Sequence, residues 1–357
     1  MKKNMNKVGI IIVNYKDYAK KFLPECRDTL EKQSYPRENY NVYIVDNAST
    51  LETKKYLTKF YPKAKILTRK DGNYSAANNL GATEAIKDGC EFIVIANMDV
   101  KFDYNWLSEL VKAITGNKEI GIAQSLVLLD RPGELINTTG NELHYLGFGF
   151  TNSYLEPLKS IIFDSSVVPI RGYASGCSFI IAKNLFEKVE GYDEELYMYH
   201  DDIDIGLKAK LLNKKIVLAT ESKIWHKYEF SRSMNMFYYM ERNRYIVMFK
   251  YYKLATILLF LPMILFMETG MLFYSFFNGQ FLTKIRIYLY FVNPETWSYI
   301  SEQRQKITKL KQVKDKKLIS SLVGKLEFME INNKILHYIV NPITNLYLKI
   351  CQTIIFW

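Results

Sequence analysis

Cysteine is scarce and unpatterned: Cys26, Cys90, Cys177 and Cys351 are scattered through 357 residues, with no Cys-x-x-Cys pair and no zinc-type spacing. That argues against a disulfide framework and a zinc knuckle, and reads as free thiols in a reducing compartment. A secretory signal is also missing. Lys2, Lys3 and Lys7 precede Val8 to Val13, an apolar run shorter than a signal's hydrophobic core, with no small-residue cleavage pattern behind it. We read this run as the first strand of a cytosolic domain. Asn14-Tyr15-Lys16-Asp17-Tyr18, directly after it, contains no glycine, so the Gly-x-Gly-x-x-Gly loop of a dehydrogenase is lacking. The glycine-rich lysine loop that would grip phosphates in a nucleotidyltransferase is not evident, and there is no internal repeat or low-complexity tract.

What is present is enough apolar residue, 48% of the chain, to bury a substantial core. The net charge of +11 is unevenly placed. Residues 1–226 hold 30 Lys/Arg against 29 Asp/Glu, whereas 227–357 hold 18 against 8, a net of +10. That basic third contains Leu254 to Phe277, interrupted by one charge, Glu268. As a helix it would be about 36 Å long against a hydrocarbon core of about 30 Å, but Pro262, Glu268 and Gly270 lie inside it. Spanning and partial embedding are both open, as is a buried helical hairpin with a solvated basic face. Tyr251, Tyr252, Lys253, Lys284, Arg286 and the basic stretch 304–317 suit an anionic lipid surface. No nucleic-acid-binding module accompanies the charge, so no nucleic-acid partner is expected.

Short apolar runs alternate with amphipathic ones. Strands are expected at 8–13, 42–45, 64–67 and 92–95, and helices near 18–33, 51–60, 75–88 and 104–115, which implies an α/β fold with a mostly parallel, doubly wound sheet. Ligands bind beyond the carboxyl ends of such strands. Asn14-Tyr15, Asp46-Asn47 and Asn97-Met98-Asp99 all fall there, predicting one shared cleft. The pattern loosens from 120 to 226, as expected of an acceptor-side subregion on the same sheet.

The chemistry lies in a few side chains. Asp46, at a strand end, can accept from a base N–H or a ribose hydroxyl, although an Asp that merely opens a turn is common. Asp71-Gly72-Asn73 and the small residues after it open a helix that a nucleotide can approach closely; an ordinary capped helix start would look the same. Asp99 offers the hard oxygen that Mg²⁺ or Mn²⁺ prefers, and His226 could add a nitrogen ligand to the same ion, which favours Mn²⁺; a histidine after a tryptophan is otherwise commonly structural. Asp201, Asp202 and Asp204 open an amphipathic stretch, where acids also suit a helix N-terminus. Close carboxylates raise one another's proton affinity, which suits a general base, and we assign that role to Asp202.

Taken in order, Val-Asp-Asn-Ala-Ser (45–49), Asn97-x-Asp99, the small-residue loop around Gly176, Gly-Tyr-Asp-Glu-Glu-Leu-Tyr-Met-Tyr-His-Asp-Asp-Ile-Asp (191–204) and Trp225-His226 resemble the family 2 glycosyltransferases of GT-A fold, notably their bacterial rhamnosyltransferase-like branch. The resemblance covers about residues 7–250. It implies an inverting transfer in which Asp202 matches the catalytic base, Asp99 and His226 the metal-binding pair, and Asp46 the nucleotide-contacting acid. It also places Asn14, Asn73, Asn79 and Asn97 in the donor pocket, and Gly176, Asp201 and Trp225 on the acceptor side. Two positions depart from the pattern: Asn97 stands where many members have a second Asp, and His200 where an aromatic residue is more usual.

The expectation is therefore a GT-A domain over 1–235, with a nucleotide-binding part at about 7–115 and an acceptor part at about 116–235. A helical, membrane-associating C-terminal region would follow over 236–357. With a divalent Mn²⁺ or Mg²⁺, the protein would transfer a sugar from a UDP- or dTDP-linked donor to a saccharide, lipid-linked acceptor. It would work in cell-surface polysaccharide assembly, peripheral or monotopic at the cytoplasmic face of the cell membrane. The competing reading is a membrane-bound sugar-nucleotide-binding protein without activity, which would have no need of Asp202.

Overall fold

The computed structural model describes residues 5–229, 236–327 and 333–357. They form two compact units: a sheet unit built from 1–141, 151–209 and 214–228, and a helical unit built from 142–150, 210–213 and 229–357.

The sheet unit begins with β1 (Val8–Tyr15), α1 (Tyr18–Leu30), β2 (Tyr40–Asn47), α2 (Leu51–Phe60), β3 (Lys65–Arg69), α3 (Tyr74–Lys87) and β4 (Phe92–Ala96). It continues through β5 (Val100–Phe102), α4 (Trp106–Gly116), β6 (Ile120–Leu129) and β7 (Ile136–Thr138); the separate ribbon β8 (Asn141–Leu143) and β9 (Gly149–Thr151) falls mainly in the helical unit, and β10 (Val167–Pro169) returns to the sheet unit. β11 (Ser178–Ala182), α5 (Lys183–Lys188), α6 (Asp201–Leu211) and β12 (Lys215–His226) follow. Ten strands among the described residues share one sheet, with main order β10-β12-β6-β11-β4-β1-β2-β3.

β1 to β4 are parallel, as their alternation with helices predicts. Beyond them the sheet is mixed, because β11 runs antiparallel to both β4 and β6. β12 is a twelve-residue strand whose pairing with β6 is interrupted between Ala219 and Lys223.

Small residues bring α3 unusually close to the sheet. A Cβ at Gly81 would lie 2.4 Å from Ile11 Cγ2, and one at Gly9 would lie 2.4 Å from Ala85 Cβ. Substituting either glycine would push α3 away from the strand ends that its N-terminus serves. Farther along, fully buried Trp106 donates its indole N–H towards Ser125 Oγ (3.0 Å) and Ser178 Oγ (2.9 Å), while Ser222 Oγ donates to the Trp106 carbonyl (2.9 Å). This satisfied polar knot locks β6, β11 and β12 to α4.

The helical unit contains α7 (Phe237–Tyr251), α8 (Leu254–Phe277), α9 (Phe281–Val292), α10 (Pro294–Leu310), α11 (Asp315–Ser320) and α12 (Asn341–Ile354). α8 is the one helix among the described residues long and apolar enough to cross a membrane. Glu268, the charge within it, pairs with Lys284 of α9 (2.7 Å) and Arg244 of α7 (3.5 Å), and both cations also hold Glu241 (2.5 Å each). Burial pushes Glu241 up, but Arg244 and Lys284 outweigh it and bring its carboxyl down to about 2.

Several side chains expected at a headgroup layer turn inward instead. Tyr251, Tyr252 and Lys284 are buried. Arg304 donates to the carbonyls of Phe249 and Tyr252, and Lys311 pairs with Asp315. Within the basic stretch the exposed lysines are Lys309, Lys314, Lys316 and Lys317. Linear proximity to an apolar run does not say which face of a helix a residue occupies.

Candidate functional site

At the carboxyl edge of the sheet, Asn14 and Asp46 are directly opposite in the β1–β2 register, and both are buried. Asn14 Nδ2 donates to Asp46 Oδ1 (2.7 Å), and Ser49 Oγ donates to Asp46 Oδ2 (2.6 Å). The carboxylate is thus held rigid at the carboxyl edge of the sheet. The positive φ of Lys16 (50°) and Ala48 (54°) turns the chain sharply after each strand.

Asn73 and Asn79 sit at this edge but direct their side chains into the protein. Asn73 Oδ1 caps α3 by accepting from Ala76 N (2.9 Å), and its Nδ2 donates to the Glu194 carbonyl (2.8 Å). Asn79 Nδ2 donates to the Tyr192 carbonyl (2.9 Å) and Glu194 Oε1 (3.0 Å), and its Oδ1 accepts from Tyr192 N (2.9 Å). Together they pin the 191–197 loop to α3, so in place of the donor contacts expected of them they act as anchors of that loop.

Asp99 meets His226 because Val100, the first residue of β5, pairs with His226 across an antiparallel ladder. Asp99 Oδ1 lies 3.4 Å from His226 Nε2, with both side chains largely enclosed. On the other side of the ring, His226 Nδ1 lies 2.8 Å from buried Asn137 Oδ1 on β7. With the Nδ1–H directed at Asn137, Nε2 faces Asp99, carrying a proton while the ring is charged and offering a lone pair to a cation that displaces that proton. Burial alone would lower the His226 pKa, but the Cys177 sulfur and the Asp99 carboxylate raise it to about 10.

Asp202 opens α6. Its Oδ2 accepts from Gly176 N (3.2 Å) and its Oδ1 from Ile203 N (2.9 Å). Burial holds both Asp201 and Asp202 above the ordinary aspartate range; the charge of Asp202 adds to the effect on Asp201, while the two N–H donors pull Asp202 partly back. The approach to these acids is strained, since Tyr197, Tyr199 and His200 all have φ between 61° and 66°. That loop is clamped by Tyr197, whose carbonyl accepts from Tyr74 N (2.9 Å) and Ser75 N (3.1 Å) at the start of α3.

The 176–177 segment joins the two halves of the site. Gly176 holds Asp202, Cys177 bears on His226, and the Cys177 carbonyl accepts from Asn97 N (3.0 Å). Tyr74 Oη then donates to Asn97 Oδ1 (3.2 Å). Asp99, His226, Gly176, Asp201 and Asp202 are therefore brought together.

Trp225 is not with them. Consecutive strand residues face opposite sides of a sheet. Trp225 accordingly lines a separate open depression of about 570 Å³ with Thr29, Lys101 and Asp130, which none of the other site residues lines. The expected acceptor-side position of Trp225 is thus not seen.

Sequence reasoning did not single out Asn137, Tyr74 or Cys177. For Asn137 the available signal was an amide in the three-residue strand Ile136–Thr138.

The donor set fits a divalent cation that brings other ligands with it. Asp99 supplies a hard oxygen and His226 a nitrogen with its second N–H already engaged. Among the described residues no group of three or more His, Cys, Asp or Glu side chains could hold a metal by itself, so the remaining positions would fall to substrate oxygens.

Comparison with known proteins identifies the family. The family model described as glycosyl transferase family 2 matches residues 9–188. The chain belongs to glycosyl transferase family 2. It is 24% identical over 231 residues, 62% of its length, to the O-antigen biosynthesis protein RfbC of Myxococcus xanthus, but spans only 17% of that protein. A crystal structure of GalNAc-T7 with UDP, GalNAc and Mn²⁺ aligns with a TM-score of 0.54 and 16% identity, covering 68% of this chain and 48% of that one. The likeness shows a shared GT-A-type fold.

Proposed function

We propose that this family 2 glycosyltransferase catalyses an inverting transfer from a UDP- or dTDP-linked sugar to a hydroxyl of a saccharide, lipid-linked acceptor. It works at the cytoplasmic face of a membrane, in cell-surface polysaccharide assembly, and is hexosyl- or rhamnosyltransferase-like. The observation that carries the reading is the Asp202 carboxylate, fixed by Gly176 N–H on the loop whose next residue bears on the Asp99–His226 pair.

Asp202 accepts the proton of the acceptor hydroxyl as that oxygen forms a bond to the anomeric carbon. The bond from that carbon to the diphosphate breaks on the opposite face, and its electron pair leaves with the diphosphate, so a single displacement inverts the centre. Asp46 would contact the nucleoside, its carboxylate fixed by buried Asn14. Asp99 and His226 would hold Mn²⁺ or Mg²⁺, which when bound supplies positive charge to the departing diphosphate. Asp201, buried next to the base, lies on the acceptor side. Membrane attachment confines the search for a lipid-linked acceptor to a surface.

Asp202→Asn tests the assignment. Transfer should fall roughly 10²- to 10⁴-fold, the usual range for a lost general base, with nucleotide affinity measured by calorimetry unchanged. Turnover near wild type removes Asp202 as the base.

A further inference from the structure

We infer that the helical unit seats in a single leaflet as an in-plane slab, with α8 lying along the membrane rather than crossing it. This rests on the membrane attachment proposed above and specifies its geometry.

Three observations converge. First, α8 is one-sided from its first turn to its last. Thr256, Phe260, Met267 and Ser275 are buried in the unit, while Leu254, Leu258, Leu265 and Phe276 are all at least 58% exposed. A helix crossing a bilayer on its own would leave its protein for part of its length, and α8 never does.

Second, the inward line of α8 is tied to charge. Glu268 holds Lys284 and Arg244, and Thr256 Oγ1 donates to buried Asp315 Oδ2 (3.2 Å) while accepting from Trp357 Nε1 (2.9 Å). A transverse α8 would draw the Glu268 cluster, held at mid-helix, into the hydrocarbon core.

Third, neighbouring helices that do not have the length and composition of a span expose the same chemistry. α9 has 12 residues, about 18 Å, and α12 has 14 that continue a π-helical turn at Leu336–Val340. Even so, Leu282 and Val292 of α9 are 81% and 74% exposed, and α12 exposes Leu346 and Ile354 while burying Thr344, Leu348 and Cys351. The occupant therefore covers a surface instead of surrounding one rod.

Charge identifies that occupant as anionic lipid. Lys253, Arg286 and Lys349, on or beside the same three helices, are exposed, and residues 227–357 carry a net +10. Two copies meeting through this face would bring like charges together, whereas headgroups neutralise them.

The test uses the full chain with vesicles of phosphatidylcholine, with and without 30% phosphatidylglycerol. An environment-sensitive fluorophore is placed at Leu258→Cys, Leu265→Cys or Phe276→Cys, and quenched by lipids bearing nitroxide high or low on the acyl chain. The in-plane arrangement gives the same shallow quenching at all three sites. It also gives at least tenfold weaker flotation for Leu258→Lys combined with Leu346→Lys, with nucleotide binding retained.

A deep signal at Leu265 with shallow ends means crossing and overturns the proposal. So does burial of all three probes in a lipid-free dimer. Failure to float with unchanged transfer to a soluble acceptor overturns docking but leaves the glycosyl-transfer reading standing.

Discussion

The two units differ in what accompanies their apolar cores. In the sheet unit the core supports a rim of enclosed polar side chains, Asn14, Asp46, Asp201 and Asp204 among them. In the helical unit buried apolar side chains such as Phe260 and Ile300 share the interior with the Glu241–Arg244–Lys284–Glu268 cluster, while many other leucines and phenylalanines lie outside. Each unit departs from the apolar-in rule at the surface where it is proposed to act. Enclosed polar atoms in the sheet unit recognise and react, whereas exposed apolar atoms in the helical unit await a low-dielectric neighbour.

This contrast can be broken from the helical side with the largest effect. Glu241→Gln leaves Arg244 and Lys284 under-compensated and should destabilise the helical unit by about 3–5 kcal/mol. Denaturant unfolding should show its transition moving to lower concentration while nucleotide binding persists in the sheet unit. Because the Glu241 pKa is depressed, its contribution is present at neutral pH and is lost as pH falls from the ordinary glutamate range towards 2. A midpoint that does not respond to this substitution would show that the cluster is not what holds the helices.

A sharper, smaller effect is expected at Asn137. Asn137→Leu removes the acceptor for His226 Nδ1–H and should weaken Mn²⁺ binding about 10- to 100-fold, while Asn137→Asp restores or exceeds wild-type affinity. Equal losses in both variants, read by titration calorimetry with Mn²⁺, would make Asn137 a packing residue only.

The smallest effect lies at Asp201, whose pKa is raised by burial and by Asp202. A raised acid is most favourable to folding below its unfolded pKa, and that favour is lost as pH rises through the folded value. Asp201→Asn should therefore raise Tm by about a few degrees at pH 8 and by less at pH 5. The reverse order in differential scanning calorimetry would show that Asp201 is stabilised as the anion.

Much of the sheet unit was legible because its elements obey simple periods. The strands expected at 8–13, 42–45, 64–67 and 92–95 and their helices appear within a few residues. Asp99, His226 and Asp202 could be picked out as chemically apt, although only the β5–β12 ladder shows why residues 127 apart meet.

Other features depend on direction, which spacing along a chain does not encode. Trp225 and His226 are neighbours in sequence yet face opposite sides of β12, a consequence that the two-residue period of a strand carries in principle. Asn73 and Asn79 look like ligand-facing amides until the 191–197 loop, more than a hundred residues away, is seen to use them. Lys284 reads as a headgroup contact until Glu241 and Glu268 appear beside it.

The most direct test of the central claim is a crystal structure of the full chain soaked with UDP and Mn²⁺. The account predicts the ion on Asp99 and His226, the diphosphate on the ion, and the Asp202 carboxylate facing the open space next to the terminal phosphate, where the sugar's anomeric carbon would lie. Nucleotide density elsewhere on the sheet, or Asp202 turned away from the bound diphosphate, would contradict it.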